Sequence, residues 1–166
     1  VVAASVGGFA GLSNAGLIGS FVATASTGAT TQTASQVVDV SGVASLIDAG
    51  AASWNLRALV QARALGAAVD LADVIVEEVD GAGVVLTSER LTDPSRPSSV
   101  YDWDGIDETR AVTAGTRTIT VTLWGTRNSG SSSDGFWDNV ELAIVPAPGA
   151  TGLALVAGLA AMRRHR

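Results

Sequence analysis

From about residue 20 to residue 145, apolar and polar side chains alternate in short runs cut by turn residues. In RTITVTLWG, residues 117–125, Ile119, Val121 and Leu123 share one parity and Thr118, Thr120 and Thr122 the other. That period of two is the pattern of a strand with one buried face. GFWDNVELAIV, 135–145, repeats it, with Phe136, Asp138, Val140, Leu142 and Ile144 on one predicted face and Trp137 on the other. ASWNLRALVQARA, 52–64, sets Trp54, Leu56, Ala58 and Val60 against Asn55, Arg57 and Gln61. DVIVEEV and VVLTSER flank Asp80-Gly81-Ala82-Gly83, which predicts a hairpin because glycine tolerates positive φ. SFVATAS and SQVVDV are two earlier strand candidates.

Only SGVASLIDAG, 41–50, predicts a helical turn, with Ser41 as its cap and Gly50 as its stop. TDPSRPSSVYDWDGIDETR, 92–110, reads as a long polar loop containing two prolines. About eight short strands, with turn signals at roughly ten-residue intervals, predict an all-β chain folded as an antiparallel β-sandwich of the jelly-roll type. A chain of 166 residues suits one such domain and a short appendage. The expected division is an N-terminal segment 1–19, a truncated first strand or a signal remnant; a sandwich 20–145; and a tail 146–166.

Composition narrows the chemistry. Lysine is absent, and three of the ten arginines lie in the tail, so residues 1–145 carry seven arginines against sixteen carboxylates, a formal −9. Such a surface repels polyanions and excludes nucleic acid as the expected partner. The absence of cysteine removes disulfides, thiolate metal sites and cysteine nucleophiles. The single histidine, His165, sits among the terminal arginines, which leaves the body no imidazole for a triad, a zinc site or a proton shuttle. Any catalysis would rest on carboxylates. VVAASVGGFAGL, at the start, lacks the basic stretch of a complete secretory signal and reads as a signal remnant or as the start of the mature domain; the sequence is expected to be a fragment.

The tail VPAPGATGLALVAGLAAMRRHR differs from everything before it. Residues 149–162 form an apolar run with no amphipathic polar face. As a helix it would span roughly 21 Å, against the roughly 30 Å of a bilayer core. Ala143 to Val145 and snorkelling arginines extend that reach. Arg163, Arg164 and Arg166 would stay cytoplasmic, placing the preceding sandwich across the membrane.

Pro146-Ala147-Pro148, a short apolar helix and a terminal arginine cluster together resemble the PEP-CTERM sorting signal of bacterial surface proteins, with alanine where that signal more often has glutamate. The resemblance covers about 21 residues and implies an exosortase-type processing enzyme as partner, with delivery to the cell surface, outer envelope or extracellular matrix. In the body, IDAG at 47–50, the Asp-Gly turn at 80, AVTAGTRTITVTLWGTR at 111–127 and SSSDGFWDNVEL at 131–142 resemble the galactose-binding-like jelly rolls found ahead of such tails. Related carbohydrate-binding modules hold a structural calcium with the aspartate of an Asp-Asn-Val strand, here Asp138, and with residues of an opening Asn-Gly-x-Phe-Glu strand that this chain lacks.

Without any resemblance, alternation turns the Asp138 carboxylate toward the core edge, where a calcium ion, an arginine or backbone amides must compensate for lost water. Trp124 and Trp137 fall on the parity opposite the apolar faces of their strands. They are therefore candidates for an exposed sugar-stacking platform, with core or edge filling as the plain alternative. Trp103 joins them from the long loop, alongside Tyr101, Asp102, Asp104, Asp107 and Glu108, a cluster read as a solvated loop or as ligand contacts. Asp134-Gly135, after the run Ser131 to Ser133, reads as a turn before the last strand. Glu77 and Glu78, as strand neighbours, point to opposite faces and cannot act on one substrate.

The expected function is a non-catalytic exported surface or matrix protein with a structural or adhesive role. A carbohydrate-binding module that contacts extracellular polysaccharide is the alternative, and a membrane-anchored glycoside-acting enzyme stands third.

Overall fold

The computed structural model describes residues 22–24, 30–62, 64–65, 68–92, 103–128 and 135–147. Ten strands lie among them: β1 Val22–Thr24, β2 Thr31–Asp39, β3 Ala52–Ala62, β4 Ala64–Leu65, β5 Ala68–Val69, β6 Leu71–Asp80, β7 Val85–Leu91, β8 Asp104–Ala111, β9 Thr116–Thr126 and β10 Gly135–Pro146. They build two four-stranded antiparallel sheets, ordered β1-β10-β3-β8 and β2-β9-β6-β7, with β4 and β5 as a separate two-stranded ribbon. The large sheets face each other, and their inward residues make one core: Trp54, Leu56, Ala58 and Val60 from β3, Val74 and Val76 from β6, Ile119 and Val121 from β9, and Trp137 from β10. The all-β sandwich follows from the alternation, and the predicted faces of β3 and β9 are the observed ones.

The β6–β7 hairpin turns where predicted. The Asp80 carboxylate accepts the amides of Ala82 and Val84, each at 2.8 Å, and Gly83 takes φ +85, a conformation that side chains disfavour. The helical turn between β2 and β3 also forms, as a 3-10 turn Ser41–Val43 followed by α1 Ala44–Asp48, ending at Gly50 with φ +67. Its cap differs from expectation. Ser41 lies inside the turn and makes no side-chain cap; Asp39 accepts the Ser41 amide at 2.8 Å instead.

Residues 92–110 are not one loop. β8 occupies Asp104–Ala111, paired along β3. The alternation is masked there because β8 is an edge strand: only Ile106 of its inward positions is apolar and buried, while Asp107, on the outward side, pairs with Arg57 at 3.3 Å.

β10 departs from simple alternation. Asp138 pairs with Leu59 and Glu141 with Arg57, so Asn139 and Val140 together oppose Ala58 in a β-bulge, with Asn139 at φ +49. Asparagine is among the few side chains that accept this conformation readily. One extra residue inverts parity. Gly135 and Trp137 point inward before the bulge, opposite Ala62 and Val60, and Leu142 and Ile144 point inward after it, opposite Leu56 and Trp54.

Two indoles join the sheets. Trp54 Nε1 on β3 donates to Glu78 Oε1 on β6 at 2.8 Å, and Trp137 Nε1 on β10 donates to the Asp73 carbonyl on β6 at 3.0 Å. Glu78 is 3% exposed, and its second oxygen accepts the Thr113 amide at 2.8 Å with the Thr116 hydroxyl 3.3 Å away. A buried carboxylate survives only with such company. Replacing Glu78 by Ala strands these donors and is expected to cost about 3–5 kcal/mol in urea denaturation. Trp54→Phe keeps most of the apolar surface, removes one charge-assisted bond, and is expected to cost about 1.5–3 kcal/mol. A Glu78→Ala chain within about 1 kcal/mol of the wild type would contradict this account.

Three carboxyls at the surface are held below their ordinary value of 3.8. Hydrogen bonds from Ser41 lower Asp39, bonds from Arg117 and then the Gly115 amide lower Asp48, and bonds from the Asn55 amide and then Arg57 lower Asp107. A depressed native pKa means that the unfolded chain binds more protons, so this stabilisation is complete above the unfolded value and disappears as pH falls through the native one. The melting temperature is expected to hold above about pH 5 and to fall below about pH 4. A triple Asp39→Asn, Asp48→Asn, Asp107→Asn chain should show a shallower acid limb; an acid limb of unchanged steepness would remove these groups from the explanation.

Candidate functional site

Threonine favours strands because its branched β-carbon suits an extended backbone. In β9 it alternates with Ile119 and Val121, so burial of the latter turns Thr118, Thr120, Thr122 and Trp124 onto the outer face of the β2-β9-β6-β7 sheet. Register then sets their neighbours. Trp124 lies between Thr33 of β2 and Asp73 of β6, Thr122 between Ser35 and Ile75, and Thr120 between Val37 and Glu77. Ser35 and Thr122 share a hydrogen bond of 2.9 Å between their hydroxyls. The face thus sets the hydroxyls of Thr33, Ser35, Thr118, Thr120 and Thr122 among the apolar Val37 and Ile75 and the acidic Glu77, with rows about 4.8 Å apart between strands and about 6.8 Å along them.

One aromatic ring and one cation stand beside these hydroxyls. Arg90 of β7, opposite Ile75, reaches diagonally to Asp73, whose Oδ2 accepts its Nε at 2.8 Å and also its Nη2. The guanidinium carbon sits 5.8 Å from the centre of the Trp124 ring, within cation–π range. Trp124 itself is half-buried and donates its Nε1 to Thr126 Oγ1 at 3.1 Å. Asp73 has the outward parity yet is 1% exposed, and its backbone carbonyl is the acceptor for Trp137. The residue that fixes the arginine is therefore tied directly to the core.

The structure separates the tryptophans that the sequence grouped together. Trp124 takes its expected outward place. Trp137 does not: it is fully buried, because the bulge after Asp138 reverses the parity read from the leucine and isoleucine that follow. Trp103 is half-buried just ahead of β8 and is not on the Trp124 face. Asp107 and Glu108 are engaged by Arg57 and Arg110, the latter pair at 2.6 Å, rather than converging on a ligand. Tyr101, Asp102 and the 131–134 turn lie outside the described residues. Glu77 faces outward and Glu78 inward, as strand neighbours must.

Asp138 is buried, 5% exposed, on the side of its sheet that faces away from the sandwich core, and its Oδ2 has no hydrogen-bond partner. Beside it on the same face stands Gln61, opposite Phe136, with both amide atoms buried and unpartnered. A calcium ion takes six to eight oxygens, and among the described residues the side chains of Asp138 and Gln61 supply three. No group of three or more acidic or imidazole side chains able to hold a metal occurs among the described residues. A cation would also leave the Gln61 amide protons without an acceptor, so the described residues do not by themselves build a site for the ion that the resemblance implied. An unpaired buried carboxamide is destabilising, and Gln61→Met, of similar length and apolar, is expected to raise stability by about 1 kcal/mol in urea denaturation. A loss of similar size would instead reveal a partner for that amide.

Of the tail, Pro146 closes β10 and the Ala147 amide donates to the Ala51 carbonyl at 2.9 Å. Pro148, Arg163, Arg164 and Arg166, with the apolar run between them, lie outside the described residues, as does the N-terminal segment 1–19. No helix among the described residues is long and apolar enough to cross a membrane.

Arg90 and Asp73 were not singled out in the sequence. The hairpin turn by itself would mislead: Val79 pairs with Val85, so counting back puts Ile75 opposite Glu89, and only a register shift between Glu78 and Val79 brings Arg90 opposite Ile75 and diagonal to Asp73. Nothing local links either residue to Trp124, some 34 residues beyond Arg90.

No family model matches this chain, and no curated protein matches it. Among solved structures, it is similar to the enzymatically active domain of tailspike protein 4 of bacteriophage CBA120, with a TM-score of 0.44 and 11% identity over 75% of this chain and 19% of that one. It is also similar to the CBM22-1 xylan-binding domain of Paenibacillus barcinonensis Xyn10C, with a TM-score of 0.33 and 11% identity over 76% of this chain and 95% of that one. Neither likeness bears on what this chain binds.

Proposed function

We propose that this chain is a non-catalytic, exported surface protein whose sandwich adheres to extracellular polysaccharide through the outer face of the β2-β9-β6-β7 sheet. The observation that carries the reading is the Trp124–Arg90–Asp73 arrangement set among hydroxyls. Carbohydrate recognition needs a flat surface against which sugar C–H groups can lie, together with hydrogen-bonding groups that match ring hydroxyls. Trp124 and the plane of Arg90 supply the first; Thr33, Ser35, Thr120 and Thr122 supply the second. The non-catalytic part rests on the carboxylates: Glu78 is committed to the core, and Glu77 faces the other way.

Delivery rests on the tail, where Pro146-Ala147-Pro148, an apolar run and terminal arginines resemble a PEP-CTERM signal read by an exosortase-type enzyme. In this reading the tail is in the inner membrane before processing and the sandwich ends at the surface or in the matrix.

Affinity electrophoresis in gels containing soluble polysaccharides tests the binding claim. Trp124→Ala is expected to weaken retardation about tenfold, ~1.4 kcal/mol, while the melting temperature stays near that of the wild type. Equal retardation of both chains rejects the face. In cells, deleting 148–166 is expected to abolish surface display as read by external protease; undiminished display rejects the sorting claim and leaves the binding claim standing.

A further inference from the structure

The outer face that carries Trp124 holds more negative than positive charge. Among the described strand residues, Asp39, Asp73 and Glu77 stand on it against Arg90, on a body whose formal charge is −9 over residues 1–145. How Arg90 is held matters as much as the count. A guanidinium recognises carboxylates through a fork of parallel N–H groups. In this protein the Nε and Nη2 donors of Arg90 go to Asp73, whose side chain is 1% exposed, while the arginine side chain remains 45% exposed. Nη1 lies outside that contact, but the charge of the group beside the Trp124 ring is offset by a neighbour that solvent screens poorly.

Around this pair the uncharged polar groups are hydroxyls. Thr33, Ser35, Thr120 and Thr122 each donate and accept, which suits ring hydroxyls and offers nothing specific to a carboxylate. Asp39 and Glu77 add like charge against any polyanion that lies across the strands, within about 10 Å at ordinary salt.

We infer that Asp73 is a specificity-determining residue acting through Arg90: by taking the Nε and Nη2 donors of the guanidinium and offsetting its charge, it makes the face select uncharged, hydroxyl-rich polysaccharide and reject polyuronates. This rests on the proposed reading of the face as polysaccharide-contacting. Asp73 positions Arg90 and does not itself meet the ligand, since its carboxylate is buried beneath it.

The test is affinity electrophoresis of the full chain in gels containing either an uncharged β-glucan or polygalacturonate, at about 0.05 M and about 0.5 M NaCl. The wild type is expected to be retarded by the β-glucan at both salt concentrations and by polygalacturonate at neither. Asp73→Asn removes the charge that offsets Arg90 and should gain about tenfold in polygalacturonate retardation at low salt, with the gain erased at high salt. Because a change at a buried carboxylate can unfold the domain, Glu77→Lys, at the surface of the same face, provides a second arm and should gain in the same direction. A merely structural role for Asp73 would lower retardation on every matrix and create no salt-sensitive polyuronate binding.

Failure of both variants to gain polygalacturonate retardation overturns the inference. So does wild-type retardation by polygalacturonate that is lost on Trp124→Ala, an outcome that would leave the binding face standing with the opposite charge preference. Retardation of the wild type by neither polymer removes the binding face and the inference with it.

Discussion

The sandwich depends on a carboxylate that water does not reach. Glu78 points into the core from β6, and the Trp54 indole from the opposite sheet and the Thr113 amide from the β8–β9 connection converge on it. Apolar packing between sheets is non-directional and tolerates sliding. A buried ion with fixed donors does not, because any shift that breaks one bond leaves a desolvated charge without compensation. The Trp137–Asp73 bond adds a second directional tie between the same two sheets. Both acceptors belong to β6, so this strand sets the position of the β1-β10-β3-β8 sheet as well as its own.

That dependence reaches the surface through Asp73. Its carbonyl accepts the Trp137 indole from within, and its carboxylate holds Arg90 on the outside, next to Trp124. The proposed binding face is consequently not a loop assembly. Its groups stand on the central strands β9 and β6 and on edge strands β2 and β7, with positions fixed by ladder pairing and by one core contact. Under the proposed function Arg90 would lose little further rotamer freedom on binding a ligand, because the buried carboxylate has already ordered it.

Charge is distributed by the same logic. Without lysine, every positive side chain is an arginine, and several are paired locally: Arg57 with Asp107, Arg90 with Asp73, Arg110 with Glu108, and Arg117 with Asp48. Three of these pairs are largely open to solvent and contribute little to stability. They leave the excess carboxylates to define the field around the domain, which favours solubility and discourages polyanions.

The strand pattern, the hairpin at Asp80–Gly83 and the helical stop at Gly50 were legible in the sequence, because each depends on a local rule: period-two burial, or a backbone angle only glycine accepts easily. The outward place of Trp124 was legible for the same reason. The burial of Trp137 was not, since a single residue gained in a bulge against β3 reverses parity, and the reversal exists only relative to a partner strand. β8 escaped notice because an edge strand needs few apolar residues and its pattern fades into that of a polar loop. The joining of Trp124, Asp73 and Arg90 belongs wholly to the tertiary structure: a register shift within the β6–β7 hairpin aligns two of them, and only the non-local pairing of β9 with β6 brings the ring to the cation. The sequence by itself determined which residues could form strands and where the chain could turn. Which strands became neighbours, and therefore which side chains meet, was decided by the free energy of burying two sheets against each other with Glu78 satisfied between them.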